Sequence, residues 1–85
     1  MYIRKRANRE TYADRNKSYL VVEMMDDSGL SRKDIARVLD ISVQYFCNKL
    51  VRNSFSFDDM VKISKACGYE MRLFRPGTYP ITIEL

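Results

Sequence analysis

Apolar and polar positions along this chain alternate in two different rhythms. Most of it carries a helical spacing, and only the last sixteen residues change to a period of two. Leu20, Val21, Met24 and Met25 recur at helical intervals and predict a helix, which reads from Thr11 to Asp27 and most clearly over 17–27. Val22 widens that stripe, a surplus that marks a second contact surface. Gly29 follows the last periodic residue, where a left-handed C-terminal cap belongs. Ser31 with Asp34 then reads as a capping box. The helix after it puts Ile35, Ala36 and Leu39 inward, with Leu30 stapling its start. Asp40 and Ile41 make a turn. Ser42 caps a helix over 43–52 that buries Phe46 and Leu50, and Asn53-Ser54 ends it. Ser56 with Asp59 opens a last helix, with Phe57, Met60, Ile63, Ala66 and Cys67 inward and Gly68 at its end. The three serine-led starts are all read as capping boxes.

The tail is different. Glu70–Phe74 alternates, Arg75–Pro80 breaks, and Ile81–Leu85 alternates again. This predicts two short strands about a Pro76-Gly77 turn. Ile81, Ile83 and Leu85 would share one face, with Thr82 and Glu84 opposite. A lone hairpin is marginal in water, so it must lie on the helices or pair with a second subunit. The expected division is a basic arm over 1–10, a helical domain over 11–69 and a hairpin over 70–85. The hairpin is read as a dimerisation element through Met71, Leu73, Ile81, Ile83 and Leu85.

At 85 residues the chain is one small domain whose core would gain from a partner subunit. Its apolar fraction, 46%, and charged fraction, 31%, are those of a globular protein. No apolar run approaches the roughly 20 residues of a membrane span. The basic start lacks the apolar stretch of a secretory signal. The expectation is a cytoplasmic protein with no membrane contact. Cys47 and Cys67 lie in helical patterns with no histidine anywhere, so neither a disulfide nor a metal site is expected. With no histidine, nucleophile elbow, phosphate loop or clustered carboxylates, catalytic residues, metal and cofactors are expected to be absent.

The net charge of +4 resides in the first nineteen residues, which hold Arg4, Lys5, Arg6, Arg9, Arg15 and Lys17 against Glu10 and Asp14. Such a leader on a near-neutral body reads as an arm that meets a polyanion, or as a solubilising tail.

Ala36, Ile41 and Phe46 are spaced five and five apart. A small residue at the helix crossing, an apolar residue in the turn and an apolar anchor in the second helix are what a helix-turn-helix requires. Residues 17–69 resemble the Cro/repressor-type (XRE) helix-turn-helix family of phage and bacterial DNA-binding regulators. The match rests on GLS at 29–31, DIA at 34–36, LDIS at 39–42 and FDDMVKISKACGY at 57–69. The resemblance implies a mainly α, four-to-five-helix, lambda-repressor-like bundle with the short β-hairpin appended. It implies a homodimer that binds an inverted-repeat operator in double-stranded DNA as a transcription regulator. Phosphate contact falls on Arg32, and base reading on Val43, Gln44 and Asn48. Backbone contact by the following loop falls on Lys49, Arg52, Asn53 and Ser54.

The chemistry of several residues suits those roles. Gln44 and Asn48 are one turn apart, and each amide can bond an adenine edge. Tyr45 offers a ring for a thymine methyl, or else a core or dimer contact. Ser42 and Arg32 stand at helix N-termini, which favour phosphate. Arg4, Lys5, Arg6 and Arg9 would add phosphate or minor-groove contacts. Val43 departs from the polar residue that the family often has there, and it can only touch a thymine methyl. Two other readings remain open: a protein-interaction module on this scaffold, such as a mobile-element inhibitor of host defence, and a DNA-binding antitoxin.

Overall fold

A computed structural model describes residues 16–84. Among the described residues, four helices precede two strands: α1 Asn16–Ser28, α2 Arg32–Leu39, α3 Val43–Arg52, α4 Phe57–Ala66, β1 Met71–Leu73 and β2 Ile81–Ile83. The chain is thus mainly helical, a small bundle with a short antiparallel hairpin at its C-terminal end. The N-terminal arm, residues 11–15 of the expected first helix, and Leu85 lie outside the described residues.

Serine begins three of these helices. Ser31 and Ser56 form reciprocal capping boxes with Asp34 and Asp59. Ser42 accepts from the Tyr45 N–H alone, because tyrosine rather than an acid stands at the third position, so the expected third box is a simple cap. An apolar residue precedes each serine, and another follows one turn into the helix. Leu30 is paired in this way with Ile35, Ile41 with Phe46, and Phe55 with Met60, the pattern of a hydrophobic staple. The last pair corrects the sequence reading. Phe55 is buried and packs on Phe46 at 5.9 Å between ring centroids, whereas Phe57, expected inside, is exposed. Ala66 is also outside, and Val61 takes a core position instead.

Helix ends are made by left-handed residues. Asp40 (φ 57°) and Asn53 (φ 54°) take the conformation usually left to glycine, as Asp and Asn tolerate best. After α2, the Ile41 N–H reaches the Ala36 carbonyl at 3.0 Å and the Asp40 N–H reaches Arg37 at 3.1 Å. That reversal turns the chain within three residues and seats Ile41 against the core.

The core gathers Val21, Met24, Ile35, Phe46, Leu50, Phe55 and Ile63 from all four helices. In α1 the buried set is Ser18, Val21, Val22 and Met24. Leu20 is therefore outside, and Val22, read as a surplus surface residue, belongs to the core. Ser18 rotates the stripe. Its hydroxyl is fully buried and donates to the Leu50 carbonyl at 2.6 Å, tying α1 to α3 with a polar group satisfied inside.

The strands pair Met71 with Ile83 and Leu73 with Ile81. Met71 packs against the core and Ile83 is half-buried, so this inner end of the hairpin face is covered by the chain's own helices. Leu73 and Ile81 at the outer end are exposed.

Candidate nucleic-acid interface

The exposed side of α3 is set by the burial of its other side. Phe46 and Leu50 point into the core, which leaves Val43, Gln44, Asn48 and Val51 facing solvent with Cys47 half-buried among them. Ser42 caps the helix through the Tyr45 N–H at 3.0 Å, so its hydroxyl is already engaged. Gln44 Nε2 donates to Asn48 Oδ1 at 3.4 Å, which aligns the two amides along one face. Arg32, the first residue of α2, extends its guanidinium to Cys47 Sγ at 3.6 Å. A cation from one helix is thereby brought beside the amide pair of another. Arg52 and Ser54 are exposed at the far end.

Two residues expected at phosphate are used within the fold. Lys49 donates to Asp59 Oδ2 at 3.1 Å and to the Ser54 carbonyl at 3.3 Å, and only 14% of its side chain is exposed. Its ammonium also lies 5.2 Å from the centre of the Tyr45 ring. The pair holds α3 to the start of α4. Asn53 Oδ1 accepts from the backbone N–H groups of Lys17 and Ser18 at 3.0 and 2.9 Å. It therefore acts as the acceptor for the open end of α1, a role that its place after α3 did not announce. Tyr45 is 53% exposed, which excludes the core alternative and leaves its ring on the surface. Arg4, Lys5, Arg6 and Arg9 lie outside the described residues.

Electrostatics around the site follow from the caps. The Asp34 carboxylate is held below its ordinary value by the Ser31 backbone and hydroxyl hydrogen bonds, with Arg37 and Lys33 adding to them. For Asp59, burial pulls upward, but the Ser56 N–H and the Lys49 ammonium outweigh it and the net shift is downward. Both acids stay ionised at the helix starts that they cap.

No protein family, curated protein or solved structure matches this chain.

What the arrangement can do therefore rests on its own groups. Among the described residues no cluster of three or more His, Cys, Asp or Glu side chains could hold a metal ion. Cys47 and Cys67 are free thiols. No described helix is long and apolar enough to cross a membrane. The α3 face offers two amides with a guanidinium beside them. Such groups bind by hydrogen bonding to planar acceptor and donor edges and to anionic oxygens.

Proposed function

We propose that the protein is a sequence-specific double-stranded DNA-binding regulator, built as a lambda-repressor-like helix-turn-helix domain of the XRE type. The observation that carries this reading is the aligned Gln44–Asn48 pair on an otherwise unused helix face, with Arg32 beside it. In a major groove the two amides can each read an adenine edge, and Arg32 reaches phosphate. Val43 and Tyr45 contribute apolar contact to thymine methyls. Arg52 and Ser54 meet the backbone beyond the helix. The basic leader adds phosphate contacts and strengthens attraction to the polyanion.

The protein acts in the cytoplasm as a homodimer on an inverted repeat, in keeping with a repressor encoded by a phage or other mobile element. The dimer contact uses Leu73 and Ile81, with Phe74 and Tyr79 beyond the strands. All four are exposed apolar side chains at the outer end of the hairpin. Strand edges there are open to pairing with a second copy.

A second reading is favoured by one observation. Val43, Tyr45 and Val51 on α3 are 41%, 53% and 62% exposed, an apolar content that suits docking on a protein as well as on bases. Selection of bound sequences from random duplexes at physiological salt separates the two. Recovery of an inverted repeat supports the DNA regulator. No enrichment, with binding that does not weaken as salt rises, assigns the α3 face to a protein partner.

A further inference from the structure

The exposed face of α3 carries amides and almost no charge. Over 43–51 the one basic residue is Lys49, and its ammonium is engaged by Asp59 Oδ2 and the Ser54 carbonyl. Arg32 and Arg52 lie at the margins of the face, where the reading above sets them on phosphate. Guanine shows two acceptors in a major groove and is read by the paired donors of arginine or lysine. The centre of this face has no such group to offer. Adenine instead shows an acceptor, N7, beside a donor, the outward N6–H, and a carboxamide complements both. Gln44 and Asn48 can do this together. Gln44 Nε2 donates to Asn48 Oδ1 at 3.4 Å. Each amide has two N–H donors and an oxygen with two lone pairs. After the mutual bond, each still has an N–H for N7 and a lone pair for N6–H. Two adenines can therefore be held at once without breaking the bond between the readers. Four residues cover about 6 Å of helix axis, which is one to two base-pair rises of roughly 3.4 Å.

We propose that the Gln44–Asn48 pair makes this chain discriminate between modification states of its DNA, binding half-sites with unmodified adenines and rejecting those that carry N6-methyladenine. The inference rests on the DNA reading above and adds a chemical condition on the operator. In a Watson–Crick pair, adenine gives one N6 hydrogen to thymine. The other is the hydrogen that an amide oxygen accepts in the major groove. N6-methylation leaves a single hydrogen. If that hydrogen stays in the base pair, the methyl group points toward N7, where the amide must lie. The amide oxygen then loses its donor, and the amide N–H is held off N7. If the methyl group turns to the pairing edge instead, the base pair loses a hydrogen bond. Either arrangement weakens the complex, because a polar group closed into an interface without its partner is unfavourable. Neighbouring side chains do not replace the lost bond. Val43 has no polar side-chain atom, and Cys47 Sγ is engaged by the Arg32 guanidinium at 3.6 Å.

The probe is a duplex selected from random sequences by the full chain at physiological salt, then synthesised in three forms. One is unmodified, one carries N6-methyladenine at the half-site adenines, and one carries it at an adenine outside the selected motif. Fluorescence anisotropy titration is expected to show roughly ten- to a hundred-fold weaker binding to the second form, the range of one lost bidentate contact. The third form should bind like the first. Gln44→Ala and Asn48→Ala, both at exposed positions, should bind the unmodified duplex more weakly. Each should also lose the methylation penalty at the adenine that it reads, and thermal melts check that each variant is folded. Equal binding to the first two forms would overturn the proposal. Tighter binding to the methylated form would overturn it too, by placing the methyl group against Val43 instead of an amide. A penalty unchanged in both variants would assign the effect to the DNA alone, and a selected motif without adenine would leave the amides nothing to read. If no duplex is enriched, the DNA reading falls and this inference with it. If a motif is enriched and methylation makes no difference, this inference alone falls.

Discussion

The helical body and the C-terminal hairpin are built on opposite principles. In the body, each helix start from α2 onward has its serine cap, and left-handed residues close the helix ends. Even a buried hydroxyl, that of Ser18, has its acceptor. In the hairpin, three residue pairs hold two strands together, and among the described residues Met71 packs against the core while Ile83 is half-buried beside it. Leu73, Phe74, Tyr79 and Ile81 are each more than 60% exposed. The body also exposes apolar side chains, among them Val51 and Phe57, but it buries a shared core, whereas the outer end of the hairpin buries none of its large apolar side chains. The buried core lies in the helical body, and the hairpin leaves most of its outer end in solvent.

The largest loss of stability is expected at the core. Phe46→Ala and Ile63→Ala are expected to cost about 2–5 kcal/mol each, because both side chains are fully buried in a domain with little reserve. At roughly 4–8 °C per kcal/mol for a domain of this size, melting should fall by about 8 °C or more. A shift of only a degree or two in a thermal melt would show that the core is not shared among the four helices.

A smaller loss is expected where α1 is tied to the end of α3. Asn53→Ala removes the acceptor for two backbone N–H groups and places a Cβ residue intolerant of φ 54° there. The expected cost is about 1–3 kcal/mol. Asn53→Gly restores the backbone freedom and recovers only part of that. Amide hydrogen exchange at the first turn of α1 should rise in both variants. Equal stability of Asn53→Gly and wild type would mean that the two hydrogen bonds contribute nothing.

Acid also acts on the helical body. Asp59 has its folded value below its ordinary 3.8. A lowered carboxylate adds stability above its unfolded value, and that contribution is lost as pH falls through the folded value. The melting temperature should therefore decline below about pH 4, and Asp59→Asn should flatten this decline while leaving Lys49 without its partner. An identical acid profile in the variant would exclude the Lys49–Asp59 pair as a clasp between α3 and α4. The least change in stability is expected from Leu73→Ser with Ile81→Ser, under about 0.5 kcal/mol, since both sites are already wet. Sedimentation at tens of micromolar should nevertheless shift from dimer to monomer. A large drop in melting temperature would instead make the hairpin part of the folding unit.

Much of this was legible from local signals. Caps and left-handed stops act over four or five residues, so Ser31, Ser42, Ser56, Gly29 and Gly68 marked their boundaries directly. The strands were visible because alternation had replaced the helical period. What escaped was decided at a distance. Ser18 reads as polar, yet it is buried because a carbonyl 32 positions away accepts from it, and this displaced Leu20 outward in favour of Val22. Phe55 and Phe57 flank the same cap, and periodicity could not choose between them. The staple took the residue before the cap. In the candidate site, exposure of Gln44 and Asn48 followed from helical geometry. The employment of Lys49 by Asp59 and of Asn53 by α1 did not, because neither partner is a helical neighbour.

Asn53 has one more consequence. Its side chain fastens Lys17 and Ser18 to the residue immediately after α3. The root of the leader is thus pinned beside the end of the helix that carries Gln44 and Asn48. A force applied at Lys17 and Ser18 is transmitted to α3 through these two hydrogen bonds and the one from the Ser18 hydroxyl to Leu50, rather than through the length of α1. The chain carries a built-in ruler: whatever α3 rests on, the leader begins from a fixed offset beside it.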